Sequence, residues 1–394
     1  MNSILRKRLI ETQISLGIGM FAAGLLLFPR ETSQAAADGA VLCAQVLLPS
    51  LFPFFTLSAL CVRTGLAAFA GRALERPMQR LFGVPGACAP AFVLGLVGGY
   101  PVGAKTALSL YGEGLCSRRE AERLLAFCNN SGPAFILGTV GASLFGGMSA
   151  GLLLYLSHVL AAVAVGLLSR FWGVRAEPAR PAAGRAMPAR APLGRAFAES
   201  VTSSFAAVLN ICAFVIFFAV AVRLLTLLGI LPALARGLGA LLSPFGLDAP
   251  FAESLLAGLL EVTGGVRGLL ELPVSLSAKL TAAAFLLGWA GLSVHCQVLS
   301  LIGESALSPL PYLAGKALHG CLAALFTRLG TQLLPLDAPA LCALAAPAPA
   351  LSFPALSHPF WTSLAGSLVC WLSLALLAWL FHTISCCKKK KKEI

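Results

Sequence analysis

Apolar segments long enough to cross a membrane follow one another along almost the whole chain, and two of them are broken at their midpoints. A helix needs about 20 apolar residues to cross the hydrocarbon core of a bilayer. Only 11% of the residues are charged, whereas a soluble domain carries about 25%. Because lipid must then cover most of the outer surface, we predict an all-α, polytopic membrane helical bundle.

The uninterrupted segments predict full spans at residues 9–28, 41–62, 122–146, 149–172, 202–228, 277–302, 311–334 and 360–384. Segments 88–112 and 251–272 instead carry Gly-Gly-Tyr-Pro at 98–101 and Thr-Gly-Gly at 263–265 in their middles. Each of these two segments is either a kinked span or a pair of half-helices that enters the membrane and returns.

The distribution of basic residues favours the second alternative. Cytoplasmic loops of membrane proteins are enriched in Lys and Arg. If residues 88–112 crossed the membrane, the arginines within 118–123 would lie outside. A re-entrant hairpin keeps them in the cytoplasm with the basic residues at 6–8, 175–195 and 388–392. We therefore predict two re-entrant hairpins, with both termini in the cytoplasm.

An Arg-, Pro- and Ala-rich stretch without apolar periodicity divides the chain, and we interpret it as a disordered cytoplasmic linker. A Pro-rich stretch nearer the C-terminus is predicted to be an external loop. The N-terminal segment resembles a signal peptide as closely as it resembles an uncleaved span. The predicted units are an N-terminal span or signal anchor (1–37), a first repeat (38–172), the linker (173–196), a second repeat (197–334), the external loop (335–359) and a C-terminal span with a polybasic tail (360–394).

The two halves contain similar features in the same order and at nearly one offset. The equivalent pairs are Lys105 and Arg267, Phe127 and Phe285, and His158 and His319. In the predicted topology the halves enter the membrane from opposite sides, so they form inverted repeats. Inverted repeats with broken helices that meet near the midplane are typical of secondary transporters. Broken backbone is costly in lipid unless protein, water or a solute pairs its N–H and C=O groups.

The first hairpin tip supplies the candidate residues Gly99, Tyr100, Pro101, Gly103 and Lys105. A half-helix that begins at this tip offers N–H groups and the positive end of its dipole to an anion. Lys105 would add a full positive charge. The alternative is that Lys105 extends to the cytoplasmic interface.

The second tip contains Glu261, Thr263 and Arg267. Ionisable residues inside a membrane segment are candidates for a functional site. Glu261 and Arg267 bind solute, or they neutralise each other as a purely structural pair. A third alternative is that Glu261 binds a coupling proton or cation.

Polar residues also accompany both broken spans. Asn129, Asn130 and Ser131 precede Pro133, which frees a backbone carbonyl; the alternative is a simple proline kink whose amides bond to adjacent helices. Ser293, His295 and Gln297 follow Gly291, and they predict a polar cavity because unpaired polar groups are costly there. His295 is also a candidate proton carrier.

Several other functional classes are not favoured. The basic residues lie between apolar stretches, so we expect no nucleic-acid binding. The 12 cysteines include no CxxC pair, so we expect neither a zinc site nor a disulfide framework. No cofactor is predicted. Ser293 and His295 are too close in sequence to face each other on one helix, and no P-loop is present. We therefore expect no enzymatic activity; a homo-oligomer in the bilayer is compatible with the sequence.

The motifs GGYPVGAK (98–105), FCNNSGP (127–133), LEVTGG (260–265) and AGLSVHCQV (290–298) resemble those of the YlbJ-type sporulation integral membrane proteins. These proteins belong to the Gate, or nucleoside-recognition, group, which is related to concentrative nucleoside transporters. The similarity covers residues 40–330.

This resemblance implies a role in endospore formation, in which the family is associated with moving dipicolinate across the outer forespore membrane. Lys105 and Arg267 suit that dianion, and Tyr100 or Trp289 could stack on its pyridine ring. The group also includes members with nucleoside substrates. A nucleoside carrier and a non-transporting scaffold or gate protein of sporulation are therefore the alternatives.

Overall fold

The computed structural model describes residues 3–64, 74–172, 192–303 and 305–333, and all regular structure within these ranges is helical. The predicted external loop (335–359), the C-terminal span with its tail (360–394) and most of the predicted linker lie outside the described residues. Helix Leu193–Leu227 begins inside the predicted linker, so the second repeat starts earlier than expected.

Two sets of helices follow the N-terminal helix Ser3–Leu27. The first set is Pro29–Leu42, Cys43–Leu47, Leu48–Arg63, Glu75–Pro77, Met78–Phe82, Gly86–Cys88, Ala89–Gly98, Val102–Gly112, Arg118–Cys128, Ala134–Leu144 and Met148–Ser169. The second set is Leu193–Leu227, Ile230–Leu242, Ser243–Phe245, Ala249–Leu260, Val262–Leu270, Leu276–Trp289, Gly291–Gly303 and Leu310–Leu333.

Among the described residues, three helical stretches are long and apolar enough to cross a membrane: Met148–Ser169, Leu193–Leu227 and Leu276–Gly303. The number rises to six if each sharply bent helix pair counts as one span. Seven of the eight predicted full spans fall among the described residues, because 360–384 lies outside them, and fewer than seven are found. The predicted span 9–28 falls largely in one such pair, Glu11–Leu27 and Pro29–Gln45, which is bent by 99°, whereas most of 41–62 lies in Leu48–Arg63.

Both predicted hairpins are confirmed by contacts between glycines. In a straight helix Gly95 and Gly103 would lie about 12 Å apart. A Cβ built on Gly103 would instead lie 3.0 Å from the Cα of Gly95. Likewise, a Cβ on Gly265 would lie 2.1 Å from the Cα of Gly258. Ala89–Gly98 with Val102–Gly112 is hereafter the first hairpin, and Ala249–Leu260 with Val262–Leu270 is the second.

Both predicted broken spans are also present. The first consists of Arg118–Cys128 and Ala134–Leu144, and the second of Leu276–Trp289 and Gly291–Gly303. The second break is at Ala290, which has a φ of 81°, a conformation uncommon for residues other than glycine. The gaps between the half-helices are called the first break and the second break below.

Each hairpin tip contacts the break of its own repeat. A Cβ on Gly99 would lie 3.1 Å from the amide nitrogen of Gly132, at the first break. A Cβ on Gly291 would lie 3.3 Å from the amide nitrogen of Val262, at the second tip. Irregular backbone in each repeat is thus packed against other irregular backbone within the protein and kept away from lipid, as the low-dielectric environment requires.

The relation between the repeats is visible in the helices Met148–Ser169 and Leu310–Leu333, called the central helices below. His319 Nε2 lies 3.0 Å from the carbonyl oxygen of His158, and the two rings are 4.3 Å apart. Farther along, Gly330 packs against Leu153, so the central helices run antiparallel. Equivalent residues that meet on antiparallel helices lie near a pseudo-two-fold axis, which is the geometry of an inverted repeat.

Two short elements were not predicted from the sequence. Residues Glu75–Phe82 precede the first hairpin and turn into it at 95°, and Ile230–Phe245 precede the second and turn into it at 119°. Each is too short to cross a bilayer, so a search for spans passes over it. Each of the two elements directly precedes the hairpin of its repeat, so the internal repeat also includes these elements, which were not recognised in the sequence.

Gly103→Ala tests the close packing of the first hairpin. The new Cβ would lie 1.9 Å from the carbonyl oxygen of Cys128, so the backbone must shift, and we expect a loss of about 1–3 kcal/mol in unfolding free energy. The measurement is denaturant unfolding of the purified protein in detergent. Gly112→Ala is the control, because a Cβ there would contact nothing within 4 Å. Equal stability of the two variants would contradict the packing described.

Candidate functional site

A cavity of about 50 Å³ lies where the two hairpin tips and the two breaks meet. The walls from the hairpins and broken spans are Gly99, Tyr100, Ser131, Gly132, Phe135, Glu261, Val262, Thr263, Ala290, Ser293, Val294 and Gln297, and the long helices add Leu47, Leu51, Ile211 and Val215. The interruptions in the two repeats therefore converge on one site, as the sequence predicted.

The polar lining comes from both repeats. Ser131 stands at the first break, Thr263 at the second tip, and Ser293 and Gln297 on the half-helix after the second break. Gln297 is buried, and neither its amide oxygen nor its amide nitrogen has a hydrogen-bond partner among the described residues. An unpaired buried amide is costly, so Gln297 is available to a solute in the cavity.

Glu261 is the ionisable carboxylate in the cavity lining, and it is 6% exposed. Its Oε1 accepts the amide hydrogen of Thr263 at 2.9 Å, and its Oε2 accepts that of Gly264 at 2.7 Å. The side chain thus caps the half-helix Val262–Leu270 and compensates the positive end of its dipole. The second tip is consequently negative or neutral toward the cavity.

The first tip has the opposite character. The half-helix Val102–Gly112 begins after Pro101 without a side-chain cap, and its first amide, that of Val102, donates to the carbonyl of Gly99 at 3.0 Å. The positive end of the helix dipole at this start is not compensated by an acidic side chain. Gly99 and Tyr100 immediately precede this start and line the cavity. The Tyr100 hydroxyl donates weakly to the carbonyl of Leu287 at 3.4 Å, which links the first tip to the second repeat.

Several predicted site residues support the cavity from behind. Asn130 caps the first break, because its amide donates to the carbonyl of Phe127 at 2.9 Å. Gly103 and Gly95 allow the hairpin to pack on the carbonyl of Cys128. Pro101 is buried and follows Tyr100 through a cis peptide bond. These residues hold the backbone and do not line the cavity.

A second polar group of side chains lies behind the second break. His295 Nδ1 lies 3.0 Å from the Tyr312 hydroxyl, and its ring meets the edge of Trp289 at 4.3 Å. Trp289 donates to the carbonyl of Leu259 at 3.3 Å, so it packs against the second hairpin. Asn129, at the first break, is also buried, and neither atom of its side-chain amide has a hydrogen-bond partner among the described residues.

Lys105 and Arg267 do not lie at the cavity, contrary to prediction. Both side chains are exposed, and neither is part of the cavity wall. Lys105 is the fourth residue of its half-helix and Arg267 the sixth, and the helical rotation at these positions directs both side chains away from the tips. Among the described residues that form the wall, none is a Lys or an Arg.

Lys316, which was not among the residues predicted from the sequence, is a cation that does reach this region. It is 1% exposed, and its ammonium donates to the carbonyl of Asn129 at the first break. A lysine inside the predicted span 311–334 is a recognisable signal, because ionisable residues in spans are rarely incidental. The predicted cations lay only at the hairpins.

The first half of the chain matches a known family. The family is described as Gate, nucleoside recognition, and the match covers residues 44–169. The sporulation integral membrane protein YlbJ of Bacillus subtilis (strain 168) is 34% identical over 323 residues. The alignment covers 78% of this chain and 79% of the relative.

Solved structures of the nucleoside transporter CNTnw share the fold. Its inward-facing substrate-bound state has a TM-score of 0.52 and 16% identity, with 89% of this chain and 88% of that chain covered. An outward-facing variant has a TM-score of 0.53 and 15% identity, with coverage of 84% and 87%. With a curated relative this similar over most of both sequences, the chain belongs to the family of YlbJ-type sporulation integral membrane proteins.

Proposed function

We propose that this protein is a secondary transporter that carries a small polar metabolite across the membrane without altering it chemically. The observation that carries the proposal is the convergence of two hairpin tips and two helix breaks on one cavity. In transporters with inverted repeats the substrate binds at the interface between the repeats, and access alternates around this fixed site. The transporter fold shared with CNTnw supports the same conclusion.

For the cargo we propose dipicolinate, carried across the outer forespore membrane during spore formation, with both termini of the protein in the cytoplasm. The sporulation name of the curated relative supports this context. The uncapped half-helix Val102–Gly112 starts directly after the cavity residues Gly99 and Tyr100, so the positive end of its dipole favours a carboxylate there, and the Tyr100 ring offers a face to a pyridine. Lys105 and Arg267 are exposed and outside the cavity wall. They therefore do not form the ion pairs with a bound dianion that the sequence predicted.

A nucleoside is the second candidate, and Glu261 is the observation that favours it. A buried carboxylate in the cavity accepts hydrogen bonds from sugar hydroxyls and repels a dianion. The uncharged polar lining formed by Ser131, Thr263, Ser293 and Gln297 also suits a hydroxylated solute. The Gate family description and the fold agree with this alternative.

The transport proposal is tested with the full chain in proteoliposomes. Uptake of radiolabelled dipicolinate and of uridine is measured in parallel, with protein-free vesicles as the control. We expect one of the two solutes to accumulate and unlabelled solute of the same kind to compete with it. If neither solute enters above the control, these cargoes are wrong and the scaffold alternative is favoured.

Glu261→Gln separates the two cargoes. Removing the negative charge should strengthen dipicolinate binding by about tenfold or more, because a like charge is removed from a low-dielectric site. A nucleoside should bind about 10- to 100-fold more weakly, because a hydrogen bond to a charged acceptor is lost. The dissociation constants are measured by calorimetry. Glu271→Gln, an exposed position at the other end of the same half-helix, is the control and should change neither constant.

Gln297→Leu should weaken binding of the transported solute by about tenfold or more, since the side-chain amide is unpaired in the empty cavity. The unfolding temperature should stay the same or rise, because an unpaired buried amide is replaced by an apolar group. Calorimetry and thermal unfolding give the two values. Lys105→Ala and Arg267→Ala are the controls, and we expect both to bind like the wild type. If Gln297→Leu bound the solute normally while Lys105→Ala and Arg267→Ala lost binding, the solute site would lie at these two cations and the cavity would be the wrong site.

A further inference from the structure

Lys316 is a buried cation at the end of a broken helix. It lies in the central helix Leu310–Leu333 and is 1% exposed. Its Nζ is 3.0 Å from the carbonyl oxygen of Asn129 and 5.7 Å from the ring centroid of Tyr100. Because Tyr100 is part of the cavity wall, the ammonium lies one side chain behind the cavity.

The helix end that Lys316 contacts is the C-terminus of Arg118–Cys128, which carries the negative end of a helix dipole. Each carbonyl at this end is matched to a different protein group. That of Phe127 accepts the Asn130 amide, and that of Cys128 packs against two hairpin glycines. The carbonyl of Asn129 accepts the ammonium. Lys316 therefore supplies the positive charge at this break.

The charge of Lys316 is not balanced by an acidic partner. The ion pairs found in the described part of the chain join Arg63 and Arg195 to Glu199, and Arg118 to Glu122. A buried ammonium without a carboxylate is costly, and apolar side chains of similar volume often replace buried charges without loss of stability. A purely packing role would thus be filled better by methionine.

The titratable groups around Lys316 come from every packed element. His158 lies on the other central helix, and His319 lies on the same helix as Lys316. His295 belongs to the second broken span and Cys128 to the first. Tyr100 is at the first hairpin tip, and Tyr312 is one turn earlier on the same helix. None of these neighbours is a carboxylate, so helix-end carbonyls and an aromatic ring stabilise the ammonium.

In broken-helix transporters, unwound carbonyls and half-helix C-termini coordinate the coupling cation. We propose that the ammonium of Lys316 is a resident cation that occupies this role at the first break, so that the break binds no free metal cation. The comparison with a coupling cation rests on the proposed function. Whether the Lys316 ammonium occupies the cation position at the first break can be tested without any solute.

The test compares unfolding temperatures of the purified protein in NaCl, KCl and ammonium chloride with those in choline chloride. We expect the unfolding temperature of the wild type to be the same in all four salts. Lys316→Ala leaves space beside the Asn129 carbonyl, so a small cation should bind there and raise the unfolding temperature by about 3–5 °C over choline. Lys316→Met fills that space and should show no such difference.

Lys279→Ala is the matched control. Lys279 is a second buried lysine, and it donates to the carbonyl of Leu270 at 2.7 Å, away from the cavity. Its variant should remain insensitive to the choice of cation. The proposal is overturned if the wild type is stabilised by sodium or potassium, or if Lys316→Ala responds to no cation.

Transport then gives a separate result. Lys316→Met should fold and yet lose at least tenfold in the uptake rate of the solute that the wild type carries, whereas a lysine with a purely structural role would leave uptake unchanged. If the wild type carries neither dipicolinate nor uridine, the proposed cargoes fail while the cation experiment still decides the role of Lys316. If transport is present and Lys316→Ala ignores all cations, only the inference on Lys316 fails.

Discussion

Every irregular piece of backbone in this bundle has to be paired inside the protein, because the hydrocarbon offers no hydrogen bonds. The chain breaks its helices at two hairpin tips and in two spans, and each interruption is packed against another. Glycine makes these contacts possible, since a Cβ at Gly95 or Gly103 would overlap the carbonyl of Cys128. The same constraint explains the caps at the tips and breaks: Glu261, Asn130 and Lys316 each pair backbone groups that a continuous helix would pair by itself.

The two repeats meet through equivalent residues on antiparallel helices. His158 contacts His319 at the crossing of the central helices, and His158 Nε2 also accepts the amide hydrogen of Ser131 at the first break. A movement of one central helix against the other would therefore act on the backbone that lines the cavity. His158, at the pseudo-two-fold axis, therefore links the packing of the two central helices to the backbone of the cavity wall.

Much of this arrangement could be predicted from the sequence, because glycine and proline act locally. Gly98–Pro101 and Thr263–Gly265 indicated the hairpin tips, and Pro133 indicated the first break. The direction of a side chain around its helix was not predictable in the same way. Lys105 and Arg267 lie on the half-helices of the two hairpins, as predicted, but their side chains are exposed. Lys316 lies on the central helix Leu310–Leu333, where no site residue was predicted, and its side chain is buried. Segment hydropathy averages over the helical turn and thus contains no information on such rotations.

The two charges that remain near the cavity belong to the second repeat but to different elements of it. Glu261 of the second hairpin stands in the cavity wall, and Lys316 of the central helix stands behind Tyr100 of the first hairpin. Each is buried and each is matched to helix-end dipoles, so neither needs the other for neutralisation. A solute that enters thus meets an acceptor on one side and a ring backed by a cation on the other. Under the proposed transport function, a solute would place its negative charge toward the Tyr100 side and its hydroxyl groups toward Glu261, so the charge of Glu261 is the feature that separates a dicarboxylate from a nucleoside.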